Sequence, residues 1–424
     1  MKHDIIIIGG GPAGAMAALL AAKKGLDALL VEKNAREKYK PCSGIYPLHN
    51  FRDVPEVPES VFERDQVTMR TISATNDALM DAREFNLIMG KIILRSKFDE
   101  YMVSAAEKDG ATILEESSVK KIDVTKDNVS VAIDEKGGPE KVVDADMLFL
   151  ATGASGKKLH DQLGLEFPNT IQGLIAEYES SSDHVENVLS SGAYHIYLNK
   201  KYSRAGHFWI TCREDTFNAG FIDTTVNKST FDSIITKDPK IKPLFDDAKE
   251  KCWPGRDKHY TVAQIPVHPI STPYRDRVLV LGDAAGLTHR FYFEGVWQGR
   301  LSAKLAMDVV SSLREREMLF TAENLSEYKK LLARNIVNKF NRSGKKNNWV
   351  FREARNDDEL WGFFCETVKK NRAFRKLIIQ CYEADYTKTG DKLDTRAGEM
   401  IFGTIPLLKK ITYAPLFLKA AGMK

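Results

Sequence analysis

Three glycines at fixed spacing, Gly9-x-Gly11-x-x-Gly14, follow the run Asp4-Ile5-Ile6-Ile7-Ile8 directly and precede an Ala- and Leu-rich stretch that stops at Gly25. That order predicts a buried parallel strand, a tight turn and a helix whose free N–H groups and positive dipole end attract a diphosphate. Gly9 allows the turn, Gly11 lets phosphate oxygens approach the backbone, and Gly14 lets the helix, opening at Pro12-Ala13, pack close to the strand. A second apolar strand, Asp27 to Val31, ends in Glu32-Lys33, 18 residues after Gly14. A carboxylate there accepts bonds from ribose hydroxyls and repels a 2′-phosphate. The spacing therefore reads as a dinucleotide site for FAD or NAD in preference to NADP.

A second set lies far along the chain. The apolar run Arg277 to Leu281 ends in Gly282-Asp283-Ala284-Ala285-Gly286, and Glu294-Gly295-Val296 then opens a long helix through about Ser312. A carboxylate at such a strand end can hold the polyol chain of a bound cofactor. The helix start can place its positive end at the N1–C2=O edge of a flavin. Asp146 to Leu150 reads as a further buried strand whose end, Ala151-Thr152-Gly153, lies near the cofactor. Cys42, in Lys40-Pro41-Cys42-Ser43-Gly44, could donate or relay a proton, whereas a lone cysteine is otherwise a small apolar residue. His207, Phe208 and Trp209 could line a substrate tunnel, and His289 and Arg290 could greet a polar group. Glu294 reads as a helix-start carboxylate.

These groups need a scaffold in at least two parts. The fold class expected is α/β: a Rossmann-like FAD-binding domain from residues 1–165 and 271–315, with an inserted antiparallel-sheet substrate domain at 166–270. Small pieces of the substrate domain can fall within 45–90. Candidate strands of the insert are Ile171–Tyr178, Ala193–Leu198, Gly206–Thr211 and Asn218–Asp223, with a mixed helical stretch from Thr230 to Lys251. Residues 316–424 read as a helical, basic C-terminal region, its apolar tail from Ile405 to Ala421 interrupted by Pro406 and Pro415.

Composition narrows the function classes. Of 424 residues 43% are hydrophobic and 28% charged, which suits a folded chain and excludes general disorder. No run approaches the roughly 18 apolar residues of a membrane span. The apolar part of the N-terminus is too short for a secretory signal, so a cytoplasmic protein is expected. Five widely spaced cysteines encode no disulfide framework and no metal site. From Leu331 to Lys424 there are 19 Lys and Arg against 10 Asp and Glu, a local +9 within a total of +4. Such a region could meet anionic lipid or an acidic protein, or be a solvated helical surface. Basic residues are not interleaved with aromatics as in a nucleic-acid module.

The pairing of Gly9-x-Gly11-x-x-Gly14 and Glu32 with a late Gly282-Asp283 resembles the flavoproteins that include aromatic hydroxylases. Arg95 with Phe98-Asp99 matches the pattern in which that arginine lies close to FAD. Within the group, Lys40-Pro41-Cys42-Ser43-Gly44, Gly282 to Gly286 with Glu294-Gly295, and Tyr197 to Tyr202 are similar to the geranylgeranyl reductase family. The likeness covers roughly residues 1 to 310. It departs at His207-Phe208-Trp209-Ile210-Thr211-Cys212, where the family has Tyr-x-Trp-x-Phe-Pro. It departs again at Arg290 and Phe293, where the family expects a proline and a glycine.

The resemblance implies FAD contacts at Gly9, Gly11, Pro12, Ala13, Gly14, Glu32, Lys33, Cys42, Ser43, Gly44, Arg95, Ala151, Gly153, Gly282, Asp283, Gly295 and Val296. Catalytic candidates are Cys42, His207, Trp209 and Arg290. The implied reaction is reduction of carbon–carbon double bonds in an isoprenoid or other apolar or lipid substrate, with flavin monooxygenase and flavin-bearing electron-transfer subunit as alternatives. Apart from the resemblance, the single dinucleotide fingerprint reads as calling for a separate electron donor (reduced ferredoxin, flavodoxin or NAD(P)H), and the basic C-terminal region could make peripheral membrane contact.

Overall fold

Ile5 to Ile8 are buried on both faces, so their strand, Lys2–Ile8, must sit in the middle of a sheet. In the computed structural model, which describes residues 2–423 except 53, 191, 254, 255, 356, 357, 385, 390 and 391, it does. It pairs in parallel with Ala28–Val31 on one side and Lys141–Leu150 on the other. Thr112–Leu114 extends the sheet beyond Ala28–Val31, and Val278–Val280 extends it beyond Lys141–Leu150. The strand expected from Asp146 is longer than its apolar core, because its first half pairs with the antiparallel hairpin of Ser117–Val124 and Val129–Glu135. Four parallel strands thus end at one edge, delivering Gly9, Glu32, Ala151 and Gly282 to the same place. Ligands bind at this carboxyl edge in doubly wound sheets.

The second sheet runs through Lys249–Glu250, Thr170–Glu179, Thr216–Asp223, Phe208–Cys212, Ala193–Leu198, Thr68–Ser73 and Asp77–Asp81, with Tyr260–Pro266 also pairing Thr170–Glu179. Its period-two alternation separates two environments. Leu174, Ala176, Phe208, Ile210, Phe217 and Phe221 turn to a core capped by the helix Lys228–Lys237. Ile175, Tyr194, Ile196, Trp209 and Ile222 turn to the opposite face and line a cavity. Within the mixed helical stretch expected from Thr230 to Lys251 the α-helix ends at Lys237, because Asp238 precedes a proline and is pushed out of helical geometry. A short 3-10 turn follows at Lys242–Phe245, and Lys249–Glu250 is strand.

Helices from Ala322 to Glu353, widened by π-helical turns at Ala333–Asn341 and Trp349–Glu353, lead into Asp358–Lys370, Arg372–Glu383, Lys392–Thr404 and Leu407–Gly422. The helix Asp358–Lys370 packs against strands Thr68–Ser73 and Asp77–Asp81, and one core joins Met69, Met80 and Trp209 to Phe351, Trp361 and Ile401. Pro406 caps the last helix at its start, and Pro415 lies within it. Among the described residues no helix is long and apolar enough to cross a membrane.

Burial also sets an acid limit on stability. Burial lowers the pKa of His195 to about 4 and that of His289 to about 3, so both are neutral in the folded protein. The unfolded chain takes up their protons near the ordinary value of 6.5. Stability is therefore full above that value and falls as pH drops through the window between it and the folded values. The thermal midpoint should drop by several degrees between pH 7.5 and pH 5, and scanning calorimetry across that range checks it. A flat profile would mean that these rings are solvated.

Candidate active site

The glycine turn has the geometry its spacing requires. Gly9 adopts φ +107°, and a Cβ there would meet the Ala151 carbonyl oxygen at 2.4 Å. A Cβ on Gly14 would fall 1.8 Å from the Gly9 carbonyl oxygen, so helix and strand touch through hydrogen alone. At Gly11 a Cβ would meet nothing within 4 Å, and Gly11 lines the cavity. The helix Pro12–Lys23 starts with no side-chain cap, leaving its first N–H groups to whatever fills that space.

Glu32 is buried beside the turn. It accepts from the Gly10 N–H at 2.7 Å and the Asn34 N–H at 2.9 Å, and pairs with the Lys38 ammonium at 2.8 Å. Burial alone would raise its pKa, but the Lys38 charge and these donors overcome that and lower it. The carboxylate stays ionised where ribose hydroxyls could donate to it. Asp283, at the end of Val278–Val280, faces the same space and accepts from the Thr288 hydroxyl at 2.8 Å. The helix Val296–Glu315 begins beside it, again without a side-chain cap. An open diphosphate cradle, an ionised carboxylate, an opposing aspartate and two uncapped helix starts fit FAD.

The loop carrying Cys42 crosses above this cradle. Asn218 ties it to the second sheet, donating to the Ser43 carbonyl at 3.1 Å while accepting from Trp209 Nε1 at 2.9 Å. Cys42 Sγ accepts weakly from the Gly44 N–H at 3.5 Å and lies against the Arg95 guanidinium. Arg95 is buried and held by both oxygens of Asp99 at 2.8 Å. Lys40 points into the same interior. Its side chain is exposed to the cavity, and enclosure there together with the neighbouring Arg95 charge lowers its pKa, against the pull of Asp283 and Asp99.

Beyond the loop the cavity turns apolar. Tyr194, Ile196, Trp209 and Ile222 form one wall, and Val350, Phe351, Trp361, Ile401, Phe402 and Phe417 form the other. His207 sits between them. Its Nδ1 accepts from Arg352 at 3.4 Å, so its ring proton is on Nε2 and is donated to the Tyr194 hydroxyl at 3.2 Å. Burial, reinforced by the Arg352 charge, holds the His207 pKa well below its ordinary value. Burial likewise brings Arg352 down to about 9. The Arg352 guanidinium lies over the Phe291 and Phe293 rings at 4.6 and 5.3 Å and donates to the Phe291 carbonyl at 3.0 Å.

One cavity of about 1750 Å³ collects Gly9, Gly11, Pro12, Ala13, Glu32, Lys33, Cys42, Ser43, Arg95, Ala151, Gly153, His207, Trp209, Gly282, Asp283, Gly295 and Val296. Gly14 and Gly44 lie behind this lining; a Cβ on Gly44 would strike the Ile93 carbonyl oxygen at 2.6 Å. Arg290 is placed elsewhere: its guanidinium meets His268 Nε2 at 2.7 Å and pairs with Glu353, and it is not among the lining residues. His289 is buried against Tyr292 and Phe340 and does not line the cavity either. Glu294 accepts from His49 Nε2 and Asn50 Nδ2, each at 2.7 Å.

Sequence reasoning quoted Lys40 within its motif without giving it a role, and missed Lys38, Tyr194, Arg352 and the whole C-terminal wall. The C-terminal basic residues drew attention to charge, while the signal for the wall was the aromatic density from Phe340 to Phe364.

Replacing Cys42 by alanine should leave the flavin absorbance intact and lower turnover about 10²-fold if the thiol moves a proton. A fully active Cys42→Ala protein would reduce Cys42 to packing.

The family described as pyridine nucleotide-disulphide oxidoreductase matches residues 3–170. Relatives include a digeranylgeranylglycerophospholipid reductase of Methanocaldococcus jannaschii, 23% identical over 77% of this chain and 81% of that protein. A geranylgeranyl diphosphate reductase of Rhodobacter capsulatus is 26% identical over 74% and 77%. Among solved structures, a geranylgeranyl bacteriochlorophyll reductase-like protein of Thermoplasma acidophilum superposes with TM-score 0.76 at 20% identity, over 98% of this chain and 99% of that one. A variant of the halogenase PltM in complex with FAD gives 0.69 at 15% identity, over 99% and 96%. These structural likenesses establish the fold, including the helical C-terminal region.

Proposed function

We propose, from the premise that this chain is an FAD-dependent oxidoreductase of the geranylgeranyl reductase type, that it saturates carbon–carbon double bonds in an isoprenoid or similar apolar alkene chain. The observation that carries the reading is the continuity of the cavity. A single space of about 1750 Å³ runs from the diphosphate cradle at Gly11 to aromatic walls at Phe351, Trp361, Phe402 and Phe417. A pocket for one drug-sized ligand occupies about 300–1,000 Å³, so this space suits a nucleotide and a long apolar chain together. Relatives named for a diphosphate and for a glycerophospholipid share the geranylgeranyl group, which is the part an apolar chamber would recognise.

When bound and reduced, FAD supplies a hydride to one alkene carbon, and a proton completes the other. The protein's part is position and exclusion of water. Trp209, Tyr194 and Ile196 lie along the sheet wall, with the Trp209 indole fixed by its bond to Asn218, and would orient an apolar chain in the space next to the cofactor cradle. The C-terminal aromatics close the other side. Cys42 carries an exchangeable proton on Sγ between cradle and chamber and is assigned to supply or relay it. His207, held neutral, keeps the chamber free of a second cation beside Arg352. A separate donor such as reduced ferredoxin, flavodoxin or transient NAD(P)H would supply the electrons.

The test is anaerobic. Protein reduced with dithionite is mixed with geranylgeranyl diphosphate, and the oxidised flavin band should return as the product gains two hydrogens per bond reduced. A flavin that stays reduced until oxygen enters, and then yields an oxygenated product, would replace this reading with a monooxygenase.

A further inference from the structure

The last helix, Leu407–Gly422, has two apolar faces. Inward, Tyr413 and Leu416 are buried, and Ala414, Phe417 and Ala420 form part of the cavity wall. Outward, Leu407, Leu408 and Ile411 are 80%, 86% and 78% exposed, and Leu418, which also borders the cavity, is 74% exposed. No other large apolar side chain among the described residues exceeds 68%. Their spacing, with exposed Pro415 between, makes a stripe along one side of the helix. Lysines flank the stripe. Lys409 reaches back to Glu359, Lys410 lies beside the Phe402 ring at 5.6 Å, and Lys419 beside the Trp349 ring at 5.1 Å. From Leu407 to Met423 there are three lysines and no acidic residue.

We infer that the helix Leu407–Gly422 seats the protein on an anionic lipid surface, with the apolar stripe in the acyl boundary and the lysines among the head groups. A helix with an apolar stripe and a basic flank lies in the interfacial plane in this way. The stripe is too small for a protein interface. A stable one takes about 800 Å² per partner and 20–30 residues a side, whereas this stripe offers four apolar side chains. Continuity with the site also argues for lipid. The inner face of the same helix borders the apolar chamber, so an alkene chain dissolved in the bilayer would enter past Phe417 and Ala420 without crossing water. This last step rests on the apolar-substrate reading above; the seating of the helix does not.

The experiment uses the full-length, flavin-loaded protein with two vesicle types, one of phosphatidylcholine alone and one of phosphatidylcholine and phosphatidylglycerol in equal parts. The protein should co-sediment with the mixed vesicles, less so as salt is raised. Leu408→Glu with Ile411→Glu should weaken that binding at least about ten-fold. Lys410→Glu with Lys419→Glu should cost roughly five-fold or more per lysine on the anionic vesicles and little on the neutral ones. Flavin absorbance and thermal midpoint are read for each variant. If the first pair fails to fold, Leu407→Gln with Leu408→Gln replaces it. Failure of the wild type to bind either vesicle, or unchanged binding by the apolar variants, overturns the inference. So does a dimer that these variants dissociate while vesicles go unbound. Turnover of a detergent-dispersed isoprenoid is measured separately, so an inactive protein that still binds vesicles indicts the function and not the surface.

Discussion

Replacing Gly11 with valine is expected to give a folded, colourless protein. Gly11 has φ −80° and ψ −177°, extended backbone that any residue adopts, and its Cβ direction is open. The cost to the fold is that of a poorer helix start, about 1 kcal/mol. The valine methyls would stand where the diphosphate must approach the first N–H groups of Pro12–Lys23. FAD affinity should fall by at least about 10²-fold, equivalent to about 2.8 kcal/mol. The contrast is Gly14→Ala. There the new methyl would lie 1.8 Å from the Gly9 carbonyl oxygen and 3.0 Å from its carbon, both backbone atoms with no room to move. That variant should lose about 3 kcal/mol or more of stability and yield little soluble protein. Flavin titration and thermal unfolding separate the two. A Gly11→Val protein that binds FAD with unchanged affinity would place the cofactor elsewhere.

The second large effect is expected at Asp99. Arg95 and Asp99 sit one turn apart on the helix Arg95–Lys108, at 8% and 2% exposure, joined by two bonds of 2.8 Å. Burial disfavours the Arg95 charge, but Asp99, with a smaller contribution from Cys42, more than restores it, so its pKa stands above the ordinary value. Removing the carboxylate leaves a buried guanidinium facing the cradle. Breaking such a pair costs about 3–5 kcal/mol. Asp99→Ala should therefore lower the unfolding midpoint substantially and release FAD faster. Asp99→Asn, which keeps an acceptor but no charge, should fall between. Urea unfolding at neutral pH measures both. A loss under about 0.5 kcal/mol for the alanine variant would mean that solvent or the cofactor already carries the Arg95 charge.

The parts legible beforehand were those written over short stretches of chain. The residues from Ile5 to Glu32 combine a β-branched run, a glycine turn, a helix and an acid, and each is dictated by backbone sterics within a few positions. The patterns in residues 193–198 and 206–211 likewise marked candidate strands of a half-buried sheet. They could not show which face meets the cofactor. The C-terminal helices were visible as helices, yet their basic residues suggested a solvated or docking surface, and the aromatic side that closes the chamber went unread. Arg290 shows the opposite error: its position next to His289 and after Gly286 suggested the site, while an ion pair with Glu353 and a bond to His268 hold it away.

The chain's own pattern was sufficient to determine that a dinucleotide cradle exists and that four strand ends must surround it, because turns, caps and parallel strands obey local geometry. Only the folded molecule decided what lies opposite the flavin. Asn218 reaches Ser43 across 175 positions and Arg352 reaches His207 across 145. Contacts of that range depend on how whole sheets and helices pack, and packing is settled by the joint burial of many side chains that no single stretch of sequence contains.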